Sequence, residues 1–322
     1  MIRILFIVFL VPALIFASTS ETSNKLASPT PFSTILNRRN NATNKPINVI
    51  IIGGSSGMGK ATAISTIARG GNALIISRSQ EKLDSCRSYI QAKAITLTND
   101  KIGKVYTAVL DVTDEQAMEK FVQEKLPTII NQNEEVDADN SVSIKWDALV
   151  FSAAGRAPHG PITKLPTSQT RELFETKFWG AYHSAKYFST HLQDNGCIVF
   201  VSGVLNRRPG LNCSPLASTN GALEGLTRSL ALELAPRLRV NCLSPGFCDT
   251  ERFDHMDAAV KQAMLQNTAE SLPLQRVGIP EDMGEAIFSL IGLKFVTGVV
   301  LDCDGGHHIR QYANKNTDPM RT

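Results

Sequence analysis

The sequence has little net charge, few cysteines and no long apolar run, and each scarcity excludes a class of protein. Its 33 Lys and Arg residues nearly balance 30 Asp and Glu residues, which leaves a formal net charge of +3. No block of basic residues dominates the chain. Binding to nucleic acid through a basic face is therefore not expected.

The six cysteines form no Cys-x-x-Cys pair, and no histidine stands at zinc-ligand spacing from any of them. A metal site is therefore not expected. Most of the cysteines lie in apolar runs, such as Cys197-Ile198-Val199-Phe200. This setting favours buried, reduced thiols that act as small hydrophobic residues over a disulfide framework.

The apolar run at the N-terminus, residues 4–16, is shorter than the about 20 residues that cross a membrane. It follows Arg3 and precedes Ala17-Ser18, so residues 1–17 are typical of a signal peptide. Residues 18–47 are rich in Ser, Thr and Asn and contain one acid, Glu21, as organelle transit peptides do. Together they indicate entry into the secretory pathway and bipartite targeting to a plastid. The alternative is a disordered linker on an endomembrane or secreted protein, with no membrane association after signal removal.

Short apolar runs alternate with amphipathic stretches over residues 48–309. The runs predict strands at residues 49–52, 73–76, 105–110, 148–151, 198–201, 240–243 and 299–301. Because these runs are continuous and do not alternate, the strands should be buried on both faces. Helices are predicted at residues 59–69, 115–124, 169–192 and 217–234. The pattern predicts one α/β domain, a doubly wound parallel (Rossmann) sheet with helices on both faces. Residues 131–144 should form an acidic surface loop, and residues 310–322 a polar tail.

A glycine-rich loop follows the first predicted strand and opens a helix. Glycines allow a sharp turn and a close approach to a pyrophosphate, and the helix N-terminus supplies amide donors and a partial positive charge. The predicted cofactor-binding residues of this loop are Gly53, Ser55, Ser56, Gly57, Met58 and Gly59.

The residues that end the second strand indicate which dinucleotide is bound. A site specific for NAD places an acid there to hold the ribose 2′-hydroxyl, whereas this strand ends in Ser77-Arg78. No carboxylate repels a 2′-phosphate, and Arg78 can bind one bidentately. The sequence therefore favours NADP(H). The alternative is that Arg78 is an ordinary surface residue at a helix start.

These features resemble the short-chain dehydrogenase/reductase family, and the resemblance covers residues 48–309. The motifs are Gly53-x-x-x-Gly57-x-Gly59, Asp111-Val112, Ala154-Gly155, Arg239-Val240-Asn241, Pro245-Gly246, Thr250 and Asp304-Gly305-Gly306. The resemblance implies that Asp111 and Val112 contact adenine, and that Ala154, Gly155, Pro245, Gly246 and Thr250 lie around the nicotinamide. It also implies a small-molecule substrate and a homodimer or homotetramer built on the helices at residues 169–192 and 217–234.

The catalytic positions depart from the family pattern of Asn, Ser, Tyr and Lys. Alignment on Ala222-Leu223-Glu224 places Leu216 at the Tyr position, Asn220 at the Lys position, Gly203 at the Ser position and Lys177 at the Asn position. Leucine cannot donate a proton, so the family's usual mechanism is not available there. Lys177, Ser202 and Asn220 are the candidate catalytic residues. Each has a structural alternative: a lysine extending from a long helix, a strand-end serine and a helix-start asparagine.

Two functions are consistent with this pattern. The first is an NADP(H)-dependent oxidoreductase with an atypical active site, which transfers hydride to or from a small carbonyl or alcohol substrate. The second is a catalytically inactive NADP(H)-binding sensor or scaffold protein.

Overall fold

The computed structural model describes residues 46–129 and 145–309. The predicted signal peptide, nearly all of the targeting segment, the acidic segment at residues 131–144 and the tail at residues 310–322 lie outside these ranges. Within the described residues, no helix is both long enough and apolar enough to span a membrane.

In the described part of the chain, one seven-stranded sheet forms the centre of the fold. Its strands are β1 (Val49–Ile52), β2 (Ala73–Ser77), β3 (Val105–Val109), β4 (Trp146–Phe151), β5 (Leu192–Val201), β6 (Leu238–Pro245) and β7 (Val300–Cys303). The spatial order is β3-β2-β1-β4-β5-β6-β7, and every neighbouring pair is parallel. Each strand falls on one of the predicted apolar runs, so the prediction of a doubly wound parallel sheet is confirmed.

Helices cover both faces of the sheet. They are α1 (Gly57–Ala68), α2 (Gln80–Ile95), α3 (Glu115–Lys120), α4 (Thr167–Phe174), α5 (Gly180–Phe188), α6 (Ser214–Glu233), α7 (Ala258–Glu270) and α8 (Pro280–Gly292). One core cluster packs α1, α2 and α8 against the sheet through residues such as Ile64, Leu83 and Ile287. A second cluster packs α3, α5 and α6 against the opposite face, for example through Phe188 and Leu223.

The strand order reverses direction at β1, which pairs with β2 on one side and with β4 on the other. The crossovers after β1 and β4 therefore leave in opposite directions and open a crevice at the carboxyl ends of these strands. Ligands bind at this switch point in open α/β sheets.

The helix predicted at residues 169–192 is divided into segments. A π-helical turn, Glu175–Trp179, separates α4 from α5. A single 3-10 turn, Ser189–His191, then ends the helical region, and Leu192 already begins β5. Because π turns are often found at functional sites, the residues inside this one bear directly on the candidate site.

All six cysteines are free thiols, and Cys86, Cys197, Cys242 and Cys248 are buried. Burial raises the pKa of Cys86 and of Cys242 to about 11. These thiols remain protonated near neutral pH, as expected of small hydrophobic core residues.

Candidate cofactor and active site

The glycine-rich loop between β1 and α1 packs tightly against the end of β4. Gly53 has a φ of +82°, and a Cβ placed on it would lie 2.6 Å from the Ala153 backbone nitrogen. A Cβ on Gly59 would lie 2.4 Å from the Gly53 carbonyl oxygen. Neither position can hold a side chain without moving backbone, so the loop stays thin at the point where the two strands diverge.

The N-terminus of α1 already holds an anionic side chain. The Gly57 amide donates a hydrogen bond of 2.8 Å to Oε2 of Glu251, and the Lys60 ammonium pairs with Oε1 of the same carboxylate. Burial raises the pKa of Glu251, but the hydrogen bonds from Lys60 and Gly57 outweigh this effect and hold it below its ordinary value. The donors of this helix end are therefore arranged to bind negative charge.

A cleft of about 1080 Å³ runs across the carboxyl edge of the sheet. Predicted cofactor-binding residues that line it are Gly53, Ser55, Ser56, Gly57, Met58, Gly59, Ser77, Arg78, Val112, Ala154, Gly155 and Thr250. Three others do not line it: Asp111 turns back to accept hydrogen bonds from Thr113, and Pro245 and Gly246 pack against the end of β7.

One end of the cleft, the β2 end, consists of Ser77, Arg78, Ser79 and Lys82. The Ser77 hydroxyl accepts a 3.0 Å hydrogen bond from Ser55, and Ser79 caps α2 by accepting from the Lys82 amide. Arg78 and Lys82 are exposed, and neither forms an ion pair with any residue in the described ranges. Sequence reasoning missed Ser79 and Lys82, although both follow Arg78 closely at the start of α2.

A second part of the lining, called the β4 end, consists of Ala154, Gly155, Arg156, Ala157 and Thr176 with Thr250, Arg252 and His255. Within it, Thr250 lies beside Gly57 at the N-terminus of α1. Arg156 follows β4 directly, whereas Arg252 and His255 belong to the segment after β6. Thr250 caps the short 3-10 turn Glu251–Phe253 in that segment. Sequence reasoning did not select Arg156, Thr176, Arg252 or His255, because no motif marks them and only the folded chain brings them together.

The three candidate catalytic residues meet beneath the β4 end. The Lys177 ammonium donates hydrogen bonds of 2.5 Å to Asn220 Oδ1 and 2.9 Å to the Ser202 carbonyl oxygen. Asn220 in turn donates 3.1 Å to the Gly203 carbonyl oxygen. The Lys177 and Asn220 side chains, whose residue types are exchanged relative to the family pattern, therefore bind each other directly.

These three residues are buried and do not line the cleft. Lys177 is only 5% exposed, and Ser202 and Asn220 are also buried. Burial lowers the pKa of Lys177 to about 8, and the nearby positive charge of Arg252 adds to the effect. Thr176, the neighbour of Lys177 in the π turn, is the residue that reaches the cleft.

A buried acid continues this polar network away from the cleft. The Ser202 hydroxyl donates 3.1 Å to Glu224 Oε1, and the Arg207 guanidinium lies 3.8 Å from the same oxygen. Arg207 also pairs with both carboxylate oxygens of Asp302. Arg207 is thus engaged by two acids at this edge of the sheet.

Asp302 in β7 and Asp304 and His308 after it lie together, with one ligand-type atom of each within 4.8 Å of the others. Asp304 accepts from the His308 ring, at 2.8 Å, and from the Gly306 and His308 amides. The hydrogen bonds from His308 and these amides outweigh burial and hold the pKa of Asp304 below its ordinary value. These contacts give the Asp304-Gly305-Gly306 motif a structural role in shaping the chain after β7.

Residues 53–308 match the family model described as "Enoyl-(Acyl carrier protein) reductase". The chain is 31% identical over 265 residues to the short-chain dehydrogenase/reductase ATR9 of Stachybotrys chlorohalonatus, covering 80% of this chain and 96% of that protein. The chain therefore belongs to the short-chain dehydrogenase/reductase family, as its motifs predicted.

Two solved structures are similar over most of the chain. A small-chain dehydrogenase in complex with NADPH has a TM-score of 0.62 and 29% identity, covering 81% of this chain and 98% of that one. The MalC Reductase/Diels-Alderase from Malbranchea aurantiaca has a TM-score of 0.70 and 25% identity, covering 83% and 98%. Both have the same fold as the described residues.

Proposed function

We propose that the protein is an NADP(H)-dependent oxidoreductase that transfers hydride to or from a small carbonyl or alcohol substrate through an atypical active site. The observation that carries this proposal is one cleft that joins the amide donors of α1 to Arg78 and Lys82, two exposed cations with no ion-pair partner among the described residues. NADP(H), when bound, supplies the hydride chemistry; the protein supplies binding, orientation and charge.

The residues present fit a phosphorylated dinucleotide. At the β2 end, Arg78 and Lys82 offer two cations for a 2′-phosphate, and the described part of that end contains no carboxylate that would repel it. The α1 N-terminus and Lys60 form a second anion site, which suits a pyrophosphate. The structural similarity to a dehydrogenase in complex with NADPH supports the same cofactor here.

In the proposed site, Lys177 acts through its charge and not as a proton donor. Leu216 stands where the family places its acid, and the Lys177 ammonium is buried beneath the β4 end with hydrogen bonds to Ser202 and Asn220. A fixed cation in this low-dielectric position stabilises negative charge that develops on a carbonyl oxygen above it. Asn220 and Ser202 are positioning residues that hold the ammonium in place.

A second function is supported by a separate observation. Lys177 forms hydrogen bonds with Ser202 and Asn220, and none of the three residues lines the cleft. A polar network with a purely structural role would have the same arrangement. This arrangement favours a catalytically inactive NADP(H)-binding sensor or scaffold as the alternative.

Turnover separates the two functions. NADPH oxidation would be followed at 340 nm across a panel of ketones, aldehydes and enones with wild type and with Lys177→Met, which keeps the side chain's length. The oxidoreductase is supported if wild type consumes NADPH with at least one substrate and the variant loses about tenfold or more in kcat while still binding NADPH. Binding of NADPH without turnover on any compound would favour the sensor or scaffold.

We also propose that residues 1–47 carry the chain into the secretory pathway and onward to a plastid. The support is the sequence pattern of a signal peptide followed by a basic, acid-poor segment. A fluorescent protein fused after residue 47 should accumulate in the plastid of a host with secondary plastids. Accumulation in the endomembrane system or the medium would instead support the linker alternative.

A homodimer or homotetramer is the proposed assembly. Trp179 and Tyr182, each 41% exposed, and Leu232, 84% exposed, lie on the helical regions that the family resemblance assigns to the interface. Exposed aromatic and aliphatic side chains of this kind are typical of interaction surfaces. Light scattering coupled to gel filtration should give two or four times the chain mass, and Trp179→Glu should shift it towards one.

A further inference from the structure

The β4 end of the cleft carries positive charge that no residue in the described ranges neutralises. Arg156 and Arg252 both line this end, are exposed, and form no ion pair with a described residue. Glu251, the acid next to Arg252 in sequence, also lines the cleft, but it is already bound by the Gly57 amide and by Lys60. The two guanidinium groups therefore have no anionic partner within the described protein.

The proposed cofactor does not account for these two cations. Its 2′-phosphate has Arg78 and Lys82 at the β2 end, and its pyrophosphate has the amide donors at the α1 N-terminus. The nicotinamide half of a dinucleotide carries no further phosphate, so the charges of Arg156 and Arg252 are left for another ligand.

Two other arginines, one in a loop after β5 and one at the start of β6, are engaged differently. Arg207, which also follows a strand end, pairs with Asp302 and lies close to Glu224. Arg239 is buried and donates to the carbonyl oxygens of Leu290, Ile291, Leu293 and Val296. Arg156 and Arg252 differ from both because they line the cleft and form no ion pair with a described residue.

We propose that the substrate carries a carboxylate, which Arg252 and Arg156 bind at the β4 end of the cleft. The proposal rests on the proposed function for the location of the reacting group. A guanidinium group matches a carboxylate with two parallel hydrogen bonds, so two arginines can orient the substrate as well as attract it. His255, at the same end, offers a further hydrogen-bond donor to the bound anion.

The buried Lys177 favours the same substrate class. The positive charge of Arg252 is close enough to help lower the pKa of Lys177, so the two groups share one region of positive potential. A carboxylate bound by Arg252 would offset the repulsion between these two cations. A neutral substrate would leave that repulsion in place.

Direct binding tests the proposal without depending on turnover. The full chain, saturated with NADP⁺, would be titrated by calorimetry with matched ketones: acetoacetate and acetoacetamide, 4-oxopentanoate and 4-oxopentanamide, 3-acetylbenzoate and 3-acetylbenzamide. The oxidised cofactor cannot reduce a ketone, so the titration measures binding alone. We expect the carboxylate of at least one pair to bind about tenfold more tightly than its amide.

Variants of the exposed arginines assign the preference to its residues. Arg252→Gln and Arg156→Gln should each reduce the preference to about threefold or less while leaving the Kd for NADP⁺ within about threefold of wild type. Arg87→Gln, which removes an exposed arginine of α2 outside the cleft lining, should change neither value.

Three results would overturn the proposal: amides that bind as tightly as the carboxylates, no measurable binding of any carboxylate, or a tenfold loss of NADP⁺ affinity in Arg252→Gln. The last would assign Arg252 to the cofactor. Failure of the proposed function is a separate result, because a protein with no turnover could still show an Arg252-dependent preference for carboxylates. Equal turnover of neutral and charged ketones would leave the oxidoreductase standing and remove only the carboxylate site.

Discussion

Replacing Glu251 by glutamine is expected to tighten the binding of NADPH by about fivefold, although it removes the negative charge from two contacts of the folded protein. The Glu251 carboxylate accepts from the Gly57 amide and pairs with Lys60 at the N-terminus of α1. A pyrophosphate bound at that helix end needs the same donors. One amide hydrogen cannot serve both anions, so cofactor binding has to displace the carboxylate.

The magnitude follows from the two contacts that are lost on displacement. A carboxylate at a helix N-terminus contributes about 0.3–1 kcal/mol, and an ion pair of moderate exposure contributes about 0–1 kcal/mol. The Glu251 side chain is 40% exposed, which places the sum near the lower part of this range, at about 1 kcal/mol. That free energy corresponds to about fivefold in Kd.

Two measurements with opposite signs make the test specific. Without cofactor, Glu251→Gln should lower the free energy of unfolding in urea by about 1 kcal/mol. In NADPH titrations followed by calorimetry, the same variant should bind more tightly than wild type. Asp254→Asn is the matched control, since Asp254 lies in the same segment but pairs with Lys261 and not with the glycine-rich loop.

An unchanged or weaker affinity for NADPH in Glu251→Gln would refute the reasoning. It would mean that the carboxylate and the pyrophosphate are held by different donors. Equal effects of Glu251→Gln and Asp254→Asn would also refute it, because the change would then belong to the segment as a whole and not to the contact with Gly57.

Three further predictions rest on single residues. In fluorescence titrations, Arg78→Gln should weaken NADPH binding by about tenfold or more and leave NADH binding nearly unchanged. An equal loss for both cofactors would contradict the assignment of Arg78 to the 2′-phosphate. The pKa of Lys177 is about 8 in the folded protein, against an ordinary value of 10.5. Between pH 7 and pH 11, the stability of wild type in urea unfolding should therefore rise by up to about 3 kcal/mol relative to Lys177→Met. Parallel pH profiles of the two proteins would argue against a buried charged lysine. Gly203→Ala should destabilise the protein by about 1–3 kcal/mol, because φ is +155° and the new Cβ would lie 2.8 Å from Asn220 Nδ2. Gly225→Ala should instead stabilise it by about 1 kcal/mol in the same assay, because Gly225 is helical and has open space around its Cα.

The parallel sheet was predictable because its strands are buried on both faces. Continuous apolar runs such as residues 49–52 and 198–201 contain no polar residue that would face solvent, so they indicate buried strands. The glycine-rich loop marks the end of β1. The predicted limits of β5 were too short, since the strand extends from Leu192 through the polar Gln193, Asp194 and Asn195 before it reaches the apolar run. Polar residues at a strand start carry no periodic signal.

The candidate site was predictable in part. Motif spacing assigned Lys177 and Asn220 to catalytic positions of the family, and in the structure the two side chains form a hydrogen bond. Spacing could not predict which residue faces the cleft, because that depends on the π turn, which rotates Lys177 inward and leaves Thr176 at the cleft surface. The contact between Gly57 and Glu251 spans 194 positions and depends on how the segment after β6 folds back. No local pattern predicts such a contact.

The π turn between α4 and α5 divides the helical region into two parts. It changes the direction in which the side chains of the second part point relative to those of the first. A π turn holds one more residue than an α-helical turn, so the side chains after it are rotated by about 100° relative to an uninterrupted helix. Loss of one residue from Glu175–Trp179 would restore a continuous helix and carry either Lys177 or the exposed Trp179 and Tyr182 to a different side. The length of this one turn therefore sets how the buried cation under the cleft is oriented relative to the aromatic surface on the outside, and a single codon deletion would change that relation.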